Sequence, residues 1–427
     1  YLPSETSGHA GAQLIFRNIS TLAKNHEITL ASFIHSDERS MTTDLISKGI
    51  DVHTIIYPRN QKLIIGKISS GIRNSVAMFN YLKGKEPFFI AKYKRKNMEN
   101  LISTLVNQNG FDLVQIEYNV MHHYTKQIKN IPSVIVFHDI STKVHERRMI
   151  NGDSTHKKSF EIAKRLEPEI GNKFDAVITL TEEDKAYLSN LGCESEIEVI
   201  PPQVKMPILD KIQKKPNSLC FLGSFNREPN VQTVQILIHE IFPKLTGQAE
   251  LTIVGKGLPN NLVNEIKATE GIDYLGFVED IDTFLASQMI MVAPIKIGAG
   301  LKMKIAHALT CGTAVITTAV GVEGINIDEI NGLWEAANVS EMTRLIDELL
   351  PQSELLIERG LKGKGAVEEL YVAAESGAVT IAGTPADDDL TYFRIFRDVS
   401  AGNDDMAGDA RLHGVKIFYT TDAANDA

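Results

Sequence analysis

Residues 294–324 constrain the fold of this chain more than any other stretch of its sequence. An apolar run at residues 289–293 leads into a glycine-rich loop, and an amphipathic pattern with lysines at its start follows. This order predicts a strand, a flexible loop and the N-terminus of a helix. Glycines let the backbone approach a ligand closely, and the unpaired N–H groups of a first helical turn attract negative charge. The stretch therefore predicts an anion site, most simply for a diphosphate.

The charges of this stretch support the same interpretation. Lys302 and Lys304 fall in the predicted first turn, where a positive side chain opposes the helix dipole, so a bound anion would offset the repulsion. After a short buried run at residues 314–317, a second glycine-rich turn contains Glu323 and Gly324. The carboxyl ends of neighbouring parallel strands share one edge of a sheet, so both turns are expected to face one crevice. The alternative interpretation is a surface loop with solvated lysines.

Strand-like apolar runs alternate with helical patterns on both sides of a proline-containing connection at residues 201–216. Because prolines do not continue a sheet, we place a linker there. The alternation predicts an α/β fold of two Rossmann-like domains facing a cleft, at residues 1–204 and 205–365. Residues 366–427 hold twelve acidic and four basic residues around two aromatic, strand-like runs, and are expected to form a small acidic β-rich module of unknown role.

The sequence Gly298-Ala299-Gly300, followed by Lys302, Lys304 and the later Glu323-Gly324 turn, resembles the donor-nucleotide site of retaining glycosyltransferases of the GT-B type, family 4. The resemblance covers residues 1–365. It implies transfer of a sugar from a nucleotide-sugar to an acceptor hydroxyl, with retention at the anomeric carbon. It also implies that neither a metal nor a cofactor is needed, because cationic groups stabilise the departing diphosphate.

The resemblance assigns roles to individual residues. His138 directly follows an apolar strand-like run, where polar side chains emerge at the ligand edge of a parallel sheet, and it is expected near the transferred sugar. The candidate catalytic residues are His138, Arg227 and Lys302. The candidate donor-binding residues are Gly8, Gly11, Gly298, Ala299, Gly300, Leu301, His307, Glu323 and Gly324.

Two departures from the family pattern keep other functions open. His307 stands where the family usually has a glutamate on the ribose, and Ala299 stands where many members have an acidic residue. One alternative is therefore a degenerate, non-catalytic GT-B protein that serves as a binding or structural module. Another is a GT-B sugar-nucleotide epimerase. NAD is not expected, since the glycine turn at residues 250–257 lacks the third glycine of the dinucleotide fingerprint.

The start of the chain predicts a structural weakness. Members of the family open with an apolar strand before the glycine-containing loop, and residues 1–13 begin at that loop. The sequence therefore predicts an N-terminally incomplete chain, in which the first sheet lacks a central parallel strand.

The partners and location follow from composition. Residues 62–99 carry nine basic and two acidic residues among aromatic ones, which indicates either peripheral contact with an anionic membrane or a helical insertion with a solvated basic face. The expected acceptor is a saccharide or a lipid-linked molecule, and no nucleic-acid module accompanies the charge. Three widely spaced cysteines and the lack of a recognisable signal peptide or spanning run predict a cytoplasmic protein without disulfides.

Overall fold

The computed structural model describes residues 2–5, 7, 10–57, 74–202, 204, 206–209 and 212–371. Within these ranges strands and helices alternate, and all the strand pairings are parallel. The predicted α/β fold with two Rossmann-like parts is confirmed. We call residues 2–202 the N-terminal half and residues 204–371 the C-terminal half. None of the helices in the described ranges is long and apolar enough to cross a membrane.

In the N-terminal half, the described residues form six strands in two sheets. Strands β1 and β2 pair with each other, and β3, β4, β5 and β6 pair in that order. The strands are β1 (Thr29–Ile34), β2 (Asp51–Ile56), β3 (Val114–Glu117), β4 (Ser133–Phe137), β5 (Ala176–Thr179) and β6 (Glu196–Val199). The helices are α1 (Ala10–Leu22), α2 (Thr42–Ser47), α3 (Ser75–Leu82), α4 (Phe88–Ala91), α5 (Lys96–Gln108), α6 (Ser141–Ile150), α7 (Lys157–Gly171) and α8 (Glu182–Asn190).

The C-terminal half contains one six-stranded sheet in the order β12-β11-β10-β7-β8-β9. The strands are β7 (Ser218–Leu222), β8 (Glu250–Val254), β9 (Ile272–Gly276), β10 (Ile290–Ala293), β11 (Ala314–Thr317) and β12 (Leu333–Glu335). The helices are α9 (Glu228–Ile236), α10 (Asn260–Lys267), α11 (Ile281–Ser287), α12 (Met303–Thr310), α13 (Ala319–Val322), α14 (Val339–Leu349) and α15 (Ser353–Tyr371).

The position of strand β10 explains the uninterrupted apolar run at the start of the stretch 289–324. It lies between β7 and β11, and all four of its residues are fully buried. A strand of a parallel sheet covered on both faces needs apolar side chains throughout, which is why no alternation is seen there. The strand therefore gives the loop that follows it a rigid starting point.

The end of the described chain corrects one prediction. The acidic β-rich module was expected from residue 366, yet α15 continues to Tyr371, and Val367 belongs to the buried core of the C-terminal half. Residues 366–371 are therefore helical, and the side chain of Val367 packs in that core. Residues 372–427, with both strand-like runs, lie outside the described residues, as do residues 62–73 of the basic segment.

Candidate active site

The loop at residues 298–302, here called the donor loop, follows β10 and precedes α12. Gly300 has a φ of 66°, and a Cβ atom at this position would lie 2.6 Å from the carbonyl oxygen of His138. Glycine is thus required both for the backbone conformation and for the close approach to the end of β4. In the described part of the chain, the backbone N–H groups of residues 298–302 donate to no protein acceptor. These groups remain available to a ligand.

Lys302 was predicted to lie in the first turn of α12. It is instead the N-cap residue, because the helix begins at Met303. Its Nζ donates to the carbonyl oxygens of Ala299 at 3.1 Å and Gly300 at 2.6 Å. It also lies 3.6 Å from a carboxylate oxygen of Glu323. Burial lowers the pKa of Lys302, and the carboxylates of Glu323 and Asp139 oppose that effect. The amine is therefore held inside the donor loop.

Lys304 and Arg227 add positive charge beside the donor loop. The Nζ of Lys304 donates to the side-chain oxygen of Asn230 at 2.7 Å and lies 4.6 Å from the centre of the Phe221 ring. Burial, with a smaller contribution from the positive charges of Arg227 and Lys302, lowers the pKa of Lys304 to about 7. Arg227 precedes α9 at its N-terminus. Three basic side chains that repel one another favour the binding of an anion between them.

The N-terminal half contributes residues that follow β4. The Nε2 atom of His138 lies 2.6 Å from a carboxylate oxygen of Glu117, and its ring stacks on Tyr118 with centroids 3.9 Å apart. The next residue, Asp139, keeps part of its surface exposed, and its Oδ1 atom would lie 2.9 Å from a Cβ atom on Gly300 of the donor loop. Burial raises its pKa to about 6, although Lys302 and Arg227 act in the opposite direction. Asp139 thus lies in a cleft between the two halves.

Glu323 joins the two halves through a network of ion pairs. Its carboxylate accepts from Arg147 at 2.8 and 2.5 Å and lies 2.8 Å from the Nζ of Lys143. Arg147 also donates to the carbonyl oxygen of Gly298, and Lys143 donates to Asp184 at 2.9 Å. Burial alone would raise the pKa of Glu323, but the hydrogen bonds from Arg147 and Lys143 outweigh it and the pKa is lowered. The carboxylate is therefore ionised and fixed.

Gly324 makes a second close contact between the halves. It has a φ of 76°, and a Cβ atom there would lie 2.4 Å from the methyl group of Thr181 and 3.0 Å from Leu301. The turn after β11 therefore packs against the N-terminus of α8 and the donor loop together. The two glycine-rich turns of the C-terminal half both face the N-terminal half, as predicted.

The structure gathers most of the predicted site residues around this cleft. The residues brought together are His138, Arg227, Lys302, Gly298, Ala299, Gly300, Leu301, Glu323 and Gly324. His307 is bonded through Nε2 to Asp282 of α11 at 2.6 Å, and Cys311 lies beside this pair. Gly11 lies in the first turn of α1, so the predicted loop ends before residue 10. Gly8 lies outside the described residues.

Four residues of the cleft were not predicted: Asp139, Lys143, Arg147 and Asp184. Lys143 and Arg147 are four residues apart in the helix that follows His138, so they share one face of it. That spacing was visible in the sequence, and it could have indicated a basic helix face at the ligand edge. Asp184 has no comparable signal, because its burial depends on the packing of α8. The three cysteines, Cys193, Cys220 and Cys311, are buried and free, as expected.

Two family models match the chain. The model for Glycosyltransferase Family 4 matches residues 39–205, and the model for Glycosyl transferases group 1 matches residues 216–352. The break between the two matches falls within the connection between β6 and β7. None of the curated protein sequences compared with the chain matches it.

Several solved structures share the fold. HepE of Anabaena, in complex with UDP and glucose, has a TM-score of 0.55 at 12% identity, covering 86% of this chain and 94% of HepE. WaaG, a glycosyltransferase involved in lipopolysaccharide biosynthesis, has a TM-score of 0.56 at 15% identity, covering 87% of this chain and 94% of WaaG. TarM of S. aureus has a TM-score of 0.52 at 19% identity over 66% of this chain, which spans 57% of the length of TarM.

Proposed function

Since the chain belongs to the family 4, group 1 glycosyltransferases of the GT-B fold, we propose that it transfers a sugar from a nucleotide-sugar to an acceptor hydroxyl with retention of the anomeric configuration and without a metal ion. The difficult step of such a transfer is the departure of the nucleoside diphosphate. Groups already aimed at the developing charge lower the barrier to that step. The proposal assigns this role to the donor loop and its basic neighbours.

One observation carries the proposal: backbone N–H groups without protein acceptors and several cations meet at one cleft. Residues 298–302 supply the N–H groups, and Lys302, Lys304 and Arg227 supply the charge. Charge-assisted hydrogen bonds to phosphate oxygens are about twice as strong as neutral ones. Cations fixed in the protein would neutralise the leaving diphosphate, which is the task a divalent metal performs elsewhere.

His138 and Glu323 are assigned to the sugar. Glu117 fixes the His138 ring by a 2.6 Å contact at Nε2, which leaves Nδ1 for a hydroxyl of the sugar. Glu323 is held by Lys143 and Arg147, so it would orient the sugar or the diphosphate through an arrangement that already spans both halves. Contact between the halves would exclude water and limit hydrolysis of the donor.

The donor is tested first. A thermal-shift screen with UDP-, GDP- and ADP-sugars should raise the melting temperature with at least one of them, by mass action on the folded state. UDP-sugars lead the screen because HepE and TarM were solved with UDP. The stabilising sugar is then incubated with saccharide and lipid-linked acceptors, with added EDTA in parallel. Stabilisation by none of the donors would favour the non-catalytic alternative.

The products decide between the enzyme alternatives. Transfer to the acceptor, with the anomeric configuration of the donor kept in the NMR spectrum, supports the proposal. A changed sugar nucleotide in the absence of acceptor identifies an epimerase. An inverted product contradicts retention, and a loss of activity in EDTA at an unchanged melting temperature contradicts metal independence.

We also propose that α3 contacts an anionic membrane surface. Val76, Phe79 and Leu82 are 71%, 53% and 63% exposed on this helix, and Lys83 lies over the Phe79 ring. Apolar side chains beside basic ones are typical of helices that lie at a lipid interface. Flotation with anionic vesicles should recover the chain, and Phe79→Ser should reduce recovery. Ile330→Ser, at an equally exposed position of the C-terminal half, is the control. Equal recovery with neutral vesicles would exclude the electrostatic part.

A further inference from the structure

A second cluster of polar side chains lies in the N-terminal half, outside the residues assigned to the cleft. It consists of Glu86, between α3 and α4, and of His122 and His123, in the 3-10 helix Asn119–Gln127 that follows β3. One ligand atom from each of the three residues lies within 4.8 Å of the other two. All three side chains are mostly buried, with Glu86 the most accessible at 19% exposed.

The distances in this cluster do not correspond to hydrogen bonds. The Oε1 atom of Glu86 is 3.8 Å from Nε2 of His122 and 3.8 Å from Nδ1 of His123, beyond hydrogen-bonding range. Nε2 of His122 has no hydrogen-bond partner within the described residues, although its side chain is only 5% exposed. A buried polar atom without a partner costs free energy, so its persistence calls for a physical reason.

The tautomer of His123 strengthens the case. Its Nε2 lies 3.1 Å from the carbonyl oxygen of Ile90. A carbonyl oxygen only accepts, so the proton of the neutral ring is on Nε2 and the lone pair is on Nδ1. That lone pair faces the carboxylate of Glu86. Metal-ligating histidines commonly donate their other N–H to a carbonyl in this way, which fixes the ring.

We propose that Glu86, His122 and His123 bind a divalent transition metal ion, with Zn²⁺ the best match. Two nitrogens and one carboxylate are a ligand set that zinc uses in proteins, and tetrahedral ligands about 2.1 Å from the ion lie roughly 3.4 Å apart. The two 3.8 Å separations would shorten by about 0.4 Å, and the separation between the two imidazole nitrogens, which is within 4.8 Å, would shorten to the same value. Glu86 is the most exposed of the three ligands at 19%, so a water molecule from this side would complete the four ligands.

The surrounding charges and a competing cluster set the terms of the test. Lys94 and Lys173 act electrostatically on both imidazoles, so they weaken the attraction of a dication.

Asp282, His307 and Cys311 form the other group with metal-ligand spacing in the described ranges. In that group, Nε2 of His307 lies 2.6 Å from a carboxylate oxygen of Asp282, within hydrogen-bonding distance. This nitrogen therefore already has a partner, unlike Nε2 of His122. It serves as the internal control.

The bound ion would fix the connection between α3 and α4. Glu86 belongs to this connection, whereas His122 and His123 belong to a segment packed beneath the sheet of β3 and β4. An ion shared by the two would hold the exposed helix α3 against the body of the N-terminal half.

The experiment uses the full chain without a histidine tag, freed of metal by dialysis against a chelator. Calorimetric titration with Zn²⁺ should give one site, and Co²⁺ should give the intense visible absorption of a tetrahedral complex. Glu86→Gln should weaken Zn²⁺ binding at least about 100-fold, since even second-shell changes cost about 10–100-fold. The matched variant His307→Gln should bind as the unaltered chain does.

Folding of each variant is checked by circular dichroism and by the melting temperature in chelator. Zn²⁺ should raise the melting temperature of the unaltered chain and of His307→Gln, and not that of Glu86→Gln. His123→Gln should abolish the Co²⁺ absorption in a folded chain. Unchanged affinity in Glu86→Gln, loss of binding in His307→Gln, or no Zn²⁺ binding by the unaltered chain would each overturn the proposal.

Discussion

The two halves of the molecule share one rhythm of strands and helices and differ in how their sheets are joined. In the C-terminal half six strands form one sheet over one continuous buried core. In the N-terminal half the described strands form a pair and a four-stranded sheet, and the buried apolar residues fall into three separate clusters. The alternation of strand-like and helical patterns therefore predicts the class of fold well. Whether the strands form one continuous sheet depends on each strand having its neighbours.

This difference matters for the cleft because each site residue depends on the strand that precedes it. The donor loop follows β10, which is paired on both sides within a continuous sheet. His138 and Asp139 follow β4, which is also paired on both sides, by β3 and β5. The N-terminal half thus presents these two residues from a strand that is paired on both sides. Under the proposed function, donor binding belongs to the C-terminal half and positioning of the sugar to the N-terminal half.

The largest expected effect tests that assignment directly. Lys302→Ala should lower kcat/KM for transfer by about 10²–10³-fold, the range found when one stabilising donor of a transition-state charge is removed, and should also weaken UDP binding. His138→Ala should lower kcat with little change in the Kd for UDP. Lys296→Ala is the control, since this exposed lysine precedes the donor loop. Equal loss of UDP binding in the Lys302 and His138 variants would contradict the division of labour.

The next prediction concerns the network between the halves. Glu323→Gln should lower the free energy of unfolding by about 2–3 kcal/mol, less than the full cost of an orphaned buried charge, because Lys143 keeps Asp184 as a partner. Urea denaturation followed by fluorescence measures this change. Glu335→Gln, at an exposed position of the same half, should leave stability within about 0.5 kcal/mol of the original. An equally small effect at both positions would show that the network does not stabilise the closed arrangement.

Hydrogen exchange would sharpen the comparison of the sheets themselves. The free energy of the opening that lets amides exchange should be at least about 2 kcal/mol smaller for β1 and β2 than for β8 and β10. The reason is that a two-stranded sheet over a small core is less stable than a strand inside a larger sheet. Exchange read by mass spectrometry on peptides from the two halves gives this difference. Amides of β4 and β5 should be intermediate. Uniform protection across both halves would remove the structural basis of the comparison.

The smallest expected effect is a pH dependence with one contribution from each half. Below about pH 7 Lys304 is protonated and attracts the diphosphate, and below about pH 6 Asp139 is neutral and no longer repels it. Both changes act in the same direction. The affinity for a UDP-sugar should therefore fall as the pH rises, by up to about tenfold per group, since one pKa unit corresponds to about 1.4 kcal/mol.

A UDP-sugar is the right probe for this titration, because its diphosphate carries two negative charges throughout the range. Asp139→Asn should remove the change centred near pH 6, and Lys304→Met should remove the change centred near pH 7. Calorimetry at several pH values measures both. Affinity that rises with pH in the unaltered chain would show that neither group faces the diphosphate.

Much of the fold could be predicted because each element has a local signal. Strand β11 was predicted with its observed bounds, and β10 within about one residue, since buried parallel strands are short apolar runs. The predicted start of the C-terminal module at residue 366 was wrong, because α15 continues to Tyr371 with Val367 packed in the core. Tertiary contacts decide such boundaries.

The candidate site shows the same limit. Lys302 and the two glycines of the donor loop could be predicted from their residue types and spacing. The structure brings the loop to the end of β4, as expected. His307 was assigned through the family pattern alone, and its bond to Asp282 depends on the packing of α11 on α12, which spacing does not reveal. Lys143 and Arg147 reach Glu323 across about 180 residues of chain. Only the relative placement of the two halves determines that contact.

Gly300 and Gly324 have a consequence for how sequences of this kind diverge. Surface loops usually accept replacements and insertions more readily than any other part of a protein. At these two positions a single added methyl group would collide with the opposite half, at 2.6 and 2.4 Å respectively. In a saturation-mutagenesis survey the two turns should therefore tolerate as few replacements as the interior strand β10. A related protein with larger residues at these two positions should lack this contact between the halves.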